Sequence, residues 1–129
     1  YVPFVRSGNI LYVSGQIASN EDGLITGKLG ADLSTEQGAE AARRCALSLL
    51  AQVKAACDGD LGRLKRVIKL TGFVYSTADY IEQPKVINGA SDFMGDLLGP
   101  IGQHARVAVS APSLPLGVAV EIDGTFEIE

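Results

Sequence analysis

The chain has 129 residues, of which 47% are hydrophobic and 20% charged, a composition typical of one compact domain and too apolar for intrinsic disorder. Its formal net charge is −4 and its longest basic run is the pair Arg43 and Arg44, which disfavours a non-specific nucleic-acid-binding protein. No apolar stretch approaches the roughly 20 residues that a transmembrane helix requires. We therefore expect a single domain over residues 1–129 with no membrane-spanning segment.

The chain opens with a strand pattern. Residues 4–17, FVRSGNILYVSGQI, predict a β-hairpin that turns at Ser7, Gly8 and Asn9. The stretch 18–33 has no clear periodicity and is expected to form a loop.

The first predicted helix follows this loop. Ser34 and Gln37 have the spacing of a capping box at its start, and Asp58-Gly59-Asp60 is expected to end it. Its apolar positions recur at helical spacing: Ala42, Cys45, Ala46, Leu49, Val53 and Ala56.

The second half of the chain repeats the alternation of strand and helix. Residues 66–74 predict a strand, a helix begins near Pro84 and stops at Gly99-Pro100, and strands follow at 105–109 and 118–128. The order β-β-α-β-α-β-β predicts an α+β fold in which two helices pack on one face of a mixed sheet.

Two helices cover only one face of such a sheet. The strand beginning at Ile10 nevertheless carries Ile10 and Tyr12 on one side and Leu11 and Val13 on the other, so both faces need shielding from water. No third layer remains in the sequence. We therefore expect a second copy of the chain to cover the other face.

The only two cysteines, Cys45 and Cys57, fall within the first predicted helix. They lie too far apart along its axis to form a disulfide and are interpreted as small buried apolar groups. Unpaired cysteines are typical of a reducing compartment, so we expect the cytoplasm.

Several chemistries lack the residues that they require. His104 is the only histidine, which excludes a zinc site with several histidine ligands, and a role as a turn or strand residue is favoured over a catalytic one. The glycines around residues 98–102 lack the context of a phosphate-binding loop. We therefore expect neither a metal nor a nucleotide cofactor.

The segment 104–128, HARVAVSAPSLPLGVAVEIDGTFEI, sets an arginine and a glutamate on two predicted strands. Strand alternation places Arg106 and Ala108 on one face, and it directs Glu121 away from its apolar neighbours. We expect both charged side chains on the face that lacks helices. Two interpretations remain open: an ordinary cross-strand ion pair, or a ligand site.

Three segments together resemble a known family. These are Arg106 followed by Leu114-Pro115 and Val120-Glu121-Ile122, the run GNILYVSGQI at residues 8–17 after Tyr1, and Val86-Ile87-Asn88. They are similar to the signature segments of the reactive-intermediate deaminase family, also called RidA or YjgF. The resemblance covers essentially the whole chain.

The resemblance implies a chorismate-mutase-like homotrimer with a cleft at each of three subunit interfaces. It also implies deamination of enamines and imines released by pyridoxal-phosphate enzymes, without a cofactor of its own. The site residues carried over are Tyr1, Asn88, Arg106 and Glu121.

Each of these residues has an expected role. Arg106 is expected to bind a substrate carboxylate through two parallel hydrogen bonds, and Glu121 to position or deprotonate water. Tyr1 would close over the ligand or be a frayed terminus. Asn88 would line the site or only bond a neighbouring loop.

Two departures from the family pattern bear on activity. Ala108 stands where the family commonly has Cys, Ser or Thr, and residues 110–113 and 75–85 also differ. A non-catalytic trimer that binds a small carboxylate metabolite is therefore the alternative. An endoribonuclease or translation inhibitor, names also used in the family, is disfavoured by the acidic charge and the single histidine.

Overall fold

The computed structural model describes residues 1–129. It contains a five-stranded sheet, a two-stranded ribbon and two α-helices, α1 and α2. The elements are, in chain order, β1 (Phe4–Ser7), β2 (Ile10–Ile17), β3 (Ser19–Asn20), β4 (Gly23–Leu24), α1 (Thr35–Ala56), β5 (Leu64–Tyr75), α2 (Gln83–Leu98), β6 (Ala105–Ala111) and β7 (Val120–Ile128).

The main sheet has the strand order β1-β2-β7-β5-β6. Strands β5 and β6 are parallel and are joined through α2, whereas every other neighbouring pair is antiparallel. Both helices pack on one face of this mixed sheet and against each other. The predicted α+β arrangement is therefore confirmed.

One element departs from the prediction. The expected loop over residues 18–33 contains the small ribbon of β3 and β4, closed by a turn in which the Asn20 side chain accepts a hydrogen bond from the Asp22 amide. Gly23 follows at φ 114°, in the region that favours glycine. Strands of two residues carry no readable periodicity, so the sequence pattern could not indicate them.

The ends of α1 follow the predicted signals. Ser34 and Gln37 form the reciprocal hydrogen bonds of a capping box, and the helix ends before Cys57, with Asp58 and Gly59 at positive φ. Both Cys45 and Cys57 are buried and unpaired. Burial raises the pKa of the Cys45 thiol to about 12, which makes it a poor nucleophile.

Glycines bring α2 close to its neighbours. A Cβ at Gly89 would collide with the backbone carbonyl of Ala39 on α1, and a Cβ at Gly72 in β5 would overlap the side chain of Ile87. The first glycine lets the two helices approach closely, and the second lets α2 lie directly on the sheet.

Strand β7 separates the two faces of the sheet. Its alternate residues are buried under the helices, and those between them are half-buried on the opposite face. The buried set is Val120, Ile122, Gly124, Phe126 and Ile128. The predicted alternation is confirmed.

The opposite face, here called the open face, carries apolar side chains in contact with water. Val5, Tyr12, Val107 and Val109 are respectively 54%, 52%, 43% and 40% exposed. The strand register puts them on the same side as Thr125, Asp123 and Glu121 of β7. The face is therefore only partly shielded within one chain, as expected. Neither helix combines the length and apolarity needed to cross a membrane.

Candidate functional site

Arg106 lies on the helix-covered side of the edge strand β6. Its register partner in β5 is Leu70, which is fully buried beneath the helices, and Ala108 pairs with Gly72 under α2. The prediction that Arg106 shares the open face with Glu121 was therefore wrong. Small Ala108 fits beneath α2, which leaves the valines on either side of it for the open face.

Three groups on α2 hold the guanidinium of Arg106. Its Nη1 donates to Asn88 Oδ1 at 2.8 Å and to Ser91 Oγ at 3.1 Å, and its Nη2 lies 3.4 Å from the carbonyl oxygen of Pro84. All three acceptors are neutral, and Arg106 forms no salt bridge. Its positive charge is therefore available to a ligand anion.

The structure brings Asn88 and Arg106 together, so the two candidates from the helix and the strand form one cluster. Asn88 and Ser91 are three residues apart, which places both on the same side of α2. The amide oxygen of Asn88 accepts from Arg106. Its contact is thus with a candidate site residue and not with a loop.

Sequence reasoning missed two members of this cluster. Ser91 Oγ lies 2.9 Å from Nε2 of His104, and Nδ1 of His104 lies 2.6 Å from the carbonyl oxygen of Gly102. The sequence alone favours a role as a turn or strand residue for His104. The one available signal was its position two residues before Arg106. Beside the cluster is an open cleft of about 280 Å³ lined by Ser91, Gly95, Gly102, Gln103, His104 and Arg106.

Glu121 lies on the open face, near a bulge in β2. The pairing of β2 with β7 shifts register between Val13 and Gln16, and a Cβ at Gly15 would collide with the Glu121 carboxylate. That carboxylate therefore lies against the backbone of β2. Burial, reinforced by the charge of Asp123, raises the pKa of the Glu121 carboxyl.

The raised pKa of Glu121 predicts that Glu121→Gln stabilises the protein at neutral pH. The folded state favours the protonated acid, so the unfavourable burial of the charge is absent at low pH and appears as the pH rises through the raised pKa. Glutamine never carries that charge. In thermal unfolding at pH 4 and pH 7.5, the variant should have a higher unfolding temperature than wild type only at pH 7.5.

Glu127→Gln is the matched control, because Glu127 points to the same side of β7 and the change removes one equal charge. An equal rise in unfolding temperature in both variants would mean that a less negative net charge stabilises the chain. Wild type unfolding at the higher temperature at pH 7.5 would contradict the inferred environment of Glu121.

Tyr1 lies near the opposite edge of the sheet from Arg106. It lines a cleft of about 500 Å³ together with Pro3, Ser14, Gly15, Gln16, Ile17, Ser19, Ser48 and Gln52. The adjoining backbone is fixed where Val2 O accepts from Ser14 Oγ at 2.7 Å, but the Tyr1 side chain is fully exposed. Tyr1 is thus close to the bulge that contacts Glu121.

The four candidates form two half-sites in one chain. Arg106 and Asn88, with Ser91 and His104, form the arginine half-site at the β6 edge, and Glu121 and Tyr1 mark the glutamate half-site near the bulge of β2. Arg106 and Glu121 are separated by two strand spacings, about 10 Å, by an offset of three residues along β7, and by the thickness of the sheet. One chain does not bring all four together.

Comparisons with other proteins agree with this architecture. Residues 1–123 match a family described as "YjgF/chorismate_mutase-like, putative endoribonuclease". Protein TCP17 of Trypanosoma cruzi is 48% identical over 130 residues, which cover 99% of this chain and 81% of that protein.

Two crystal structures are also closely similar. The protein Atu1372 of unknown function from Agrobacterium tumefaciens has a TM-score of 0.98 and 50% identity, over 100% of this chain and 82% of that one. A protein from Shewanella oneidensis named as a "putative endoribonuclease" has a TM-score of 0.94 and 34% identity, over 99% and 85%. The chain therefore belongs to the YjgF/RidA family and has its chorismate-mutase-like fold.

Proposed function

We propose that this protein is a cofactor-independent deaminase that hydrolyses reactive 2-imino acids, and the enamines in equilibrium with them, to 2-oxo acids and ammonia. The observation that carries the proposal is the state of Arg106. Its guanidinium is oriented by neutral acceptors on α2 and has no carboxylate partner in the chain. A small ligand with its own carboxylate supplies that missing partner.

The geometry of Arg106 favours a carboxylate over other anions. Both N–H groups of Nη1 are engaged by Asn88 and Ser91, whereas Nε makes no hydrogen bond and Nη2 makes only the long one to Pro84. Nε and Nη2 form one edge of the guanidinium, and their spacing matches the two oxygens of a carboxylate.

The reaction needs a group that exchanges protons with water. Glu121 takes a proton from water as the oxygen adds to the carbon of the protonated imine, and it returns that proton to the amino nitrogen of the tetrahedral adduct. The C–N bond then breaks to release ammonia, and the hydroxyl group of the adduct gives its proton to ammonia or solvent as the C=O bond forms. A carboxyl group whose pKa is raised by burial is suited to this exchange, because its pKa lies closer to neutral pH than that of an exposed carboxyl group.

The separation of the two half-sites supports a site that is shared between subunits. A head-to-tail contact sets the arginine half-site of one subunit against the glutamate half-site of the next, and three such contacts close a homotrimer. A two-fold contact would also set these two unlike half-sites against each other, so the number of three subunits in this proposal follows from the resemblance to the family. The exposed valines of the open face would be buried in such an assembly.

Mixing two inactive variants tests the shared site. Arg106→Ala and Glu121→Gln subunits, unfolded and refolded together in equal amounts, should recover about a quarter of the wild-type rate, since one interface in four then has both intact half-sites. The assay is ammonia release from freshly generated 2-iminopropanoate and 2-iminobutanoate.

Each variant refolded alone is the control and should remain inactive. Recovery in the mixture supports both the deaminase and the shared site. Wild-type activity without recovery would place Arg106 and Glu121 in sites that do not combine across subunits. No ammonia release by wild type would overturn the deaminase.

One observation favours a second candidate function, a trimer that binds a small carboxylate without converting it. Ala108, on the same side of β6 as Arg106, contributes no polar group where the family commonly has one. This candidate predicts that pyruvate binds and that 2-iminopropanoate is hydrolysed no faster than in buffer. An endoribonuclease is less well supported, because the chain is acidic and both nitrogens of its single histidine contact protein groups. The two free cysteines fit a reducing compartment such as the cytoplasm.

A further inference from the structure

A directed chain of hydrogen bonds runs from Gly102 through His104 to Ser91. The carbonyl oxygen of Gly102 can only accept, so Nδ1 of His104, 2.6 Å away, carries a proton. In the neutral ring Nε2 is then an acceptor, and it lies 2.9 Å from Ser91 Oγ. The single hydroxyl proton of Ser91 is therefore directed at His104.

The direction of the Ser91 hydroxyl proton determines whether Ser91 Oγ can accept a hydrogen bond from Arg106. With its proton committed to His104, Ser91 Oγ faces Nη1 of Arg106 as an acceptor at 3.1 Å. Asn88 Oδ1 accepts the second Nη1 proton at 2.8 Å. Without the acceptor on His104, the Ser91 hydroxyl would be free to turn its proton toward the guanidinium and repel it.

The hydrogen-bond series begins at the carbonyl group of Gly102, whose position is fixed. A Cβ at Gly102 would collide with the backbone carbonyl of Met94, so Gly102 packs directly against the backbone of α2. The Gly102 carbonyl oxygen is thereby fixed relative to the helix that also carries Asn88 and Ser91. The first and last groups of this hydrogen-bond series are therefore both held in place by α2.

We propose that His104 and Ser91 are positioning residues, which lock the guanidinium of Arg106 so that its Nε and Nη2 edge is presented to the ligand carboxylate. The proposal rests on the proposed function and adds two residues to that site. An arginine side chain loses much rotational freedom on binding, and an arginine ordered beforehand loses less. Neutral acceptors achieve this order without neutralising the charge.

Two substitutions each remove a different member of this hydrogen-bond series. His104→Ala and Ser91→Ala are each expected to raise KM for 2-iminopropanoate about tenfold, the effect of one lost hydrogen bond to a charged group, with kcat changed less than about twofold. The dissociation constant for pyruvate, the stable product, should rise in parallel. Because both substitutions break the same chain, the double variant should be no worse than either single one.

Two further variants separate positioning from a general structural role. Ser91→Thr keeps the hydroxyl and should retain a KM close to that of wild type. Ser7→Ala removes an exposed hydroxyl that makes no side-chain hydrogen bond, and it should change neither KM nor pyruvate affinity. If His104→Ala does not fold, Ser91→Ala measures the same link.

The outcomes distinguish the two proposals. Wild-type turnover with unchanged KM in Ser91→Ala would overturn the positioning role alone, as would single-variant effects that add in the double variant. A wild-type protein that neither releases ammonia nor binds pyruvate would overturn the proposed function, and the positioning role with it.

Discussion

Gly89→Ala is expected to destabilise the folded chain by about 3 kcal/mol and to lower its unfolding temperature by roughly 10 °C. Alanine is the better helix former by about 1 kcal/mol, so intrinsic propensity alone would predict a gain. The added methyl group, however, meets the backbone carbonyl of Ala39 on α1. A backbone atom inside a helix cannot rotate away, so the helices must separate and lose contact between their buried sides.

Gly95→Ala in the same helix is the matched control, because a Cβ there meets nothing within 4 Å. It should be neutral or stabilising by up to about 1 kcal/mol. Chemical unfolding of the two variants beside wild type provides the comparison. Equal stabilities for both alanine variants would mean that α1 and α2 are not in close contact at Gly89.

Arg106→Ala is expected to lower kcat/KM for 2-iminopropanoate by about 100-fold or more, since two charge-assisted hydrogen bonds to the carboxylate are lost together. Arg106→Lys keeps the charge but not the planar pair of donors, and it should still lose about tenfold. The measurement is the initial rate of ammonia release over a range of substrate concentrations.

Arg43→Ala serves as the control for the loss of one positive charge. Arg43 lies on α1, where its guanidinium pairs with Glu40, and it makes no contact with the arginine half-site. Its kcat/KM should match that of wild type. A comparable loss of kcat/KM in both variants would indicate that the net charge of the protein attracts the substrate, and that Arg106 does not bind it directly.

The helices and β7 could be predicted because their patterns admit one reading. In β7, apolar residues such as Val120 and Ile122 alternate with charged ones such as Glu121, so only one face of this strand suits the apolar sides of the helices. The capping box at Ser34 likewise marked the start of α1. Local chemistry determined these features.

Strand β6 shows why the orientation of Arg106 could not be predicted. Ala108 and Val107 are both apolar, so either face of the strand could have packed under the helices. The choice depends on the space beneath α2, which Gly72 and Ile87 define from elsewhere in the chain. The link between Ser91 and His104 joins residues 13 positions apart and has no sequence pattern at all.

The central position of β7 affects how the domain is made. This strand follows every other one along the chain, yet it lies between β2 and β5 and is hydrogen-bonded to both. Without β7 the remaining strands of this sheet have only two native pairings, β1 with β2 and β5 with β6, and the inner edges of β2 and β5 lack a partner. We therefore expect a chain that has not yet placed β7 to expose two strand edges that can pair with another chain.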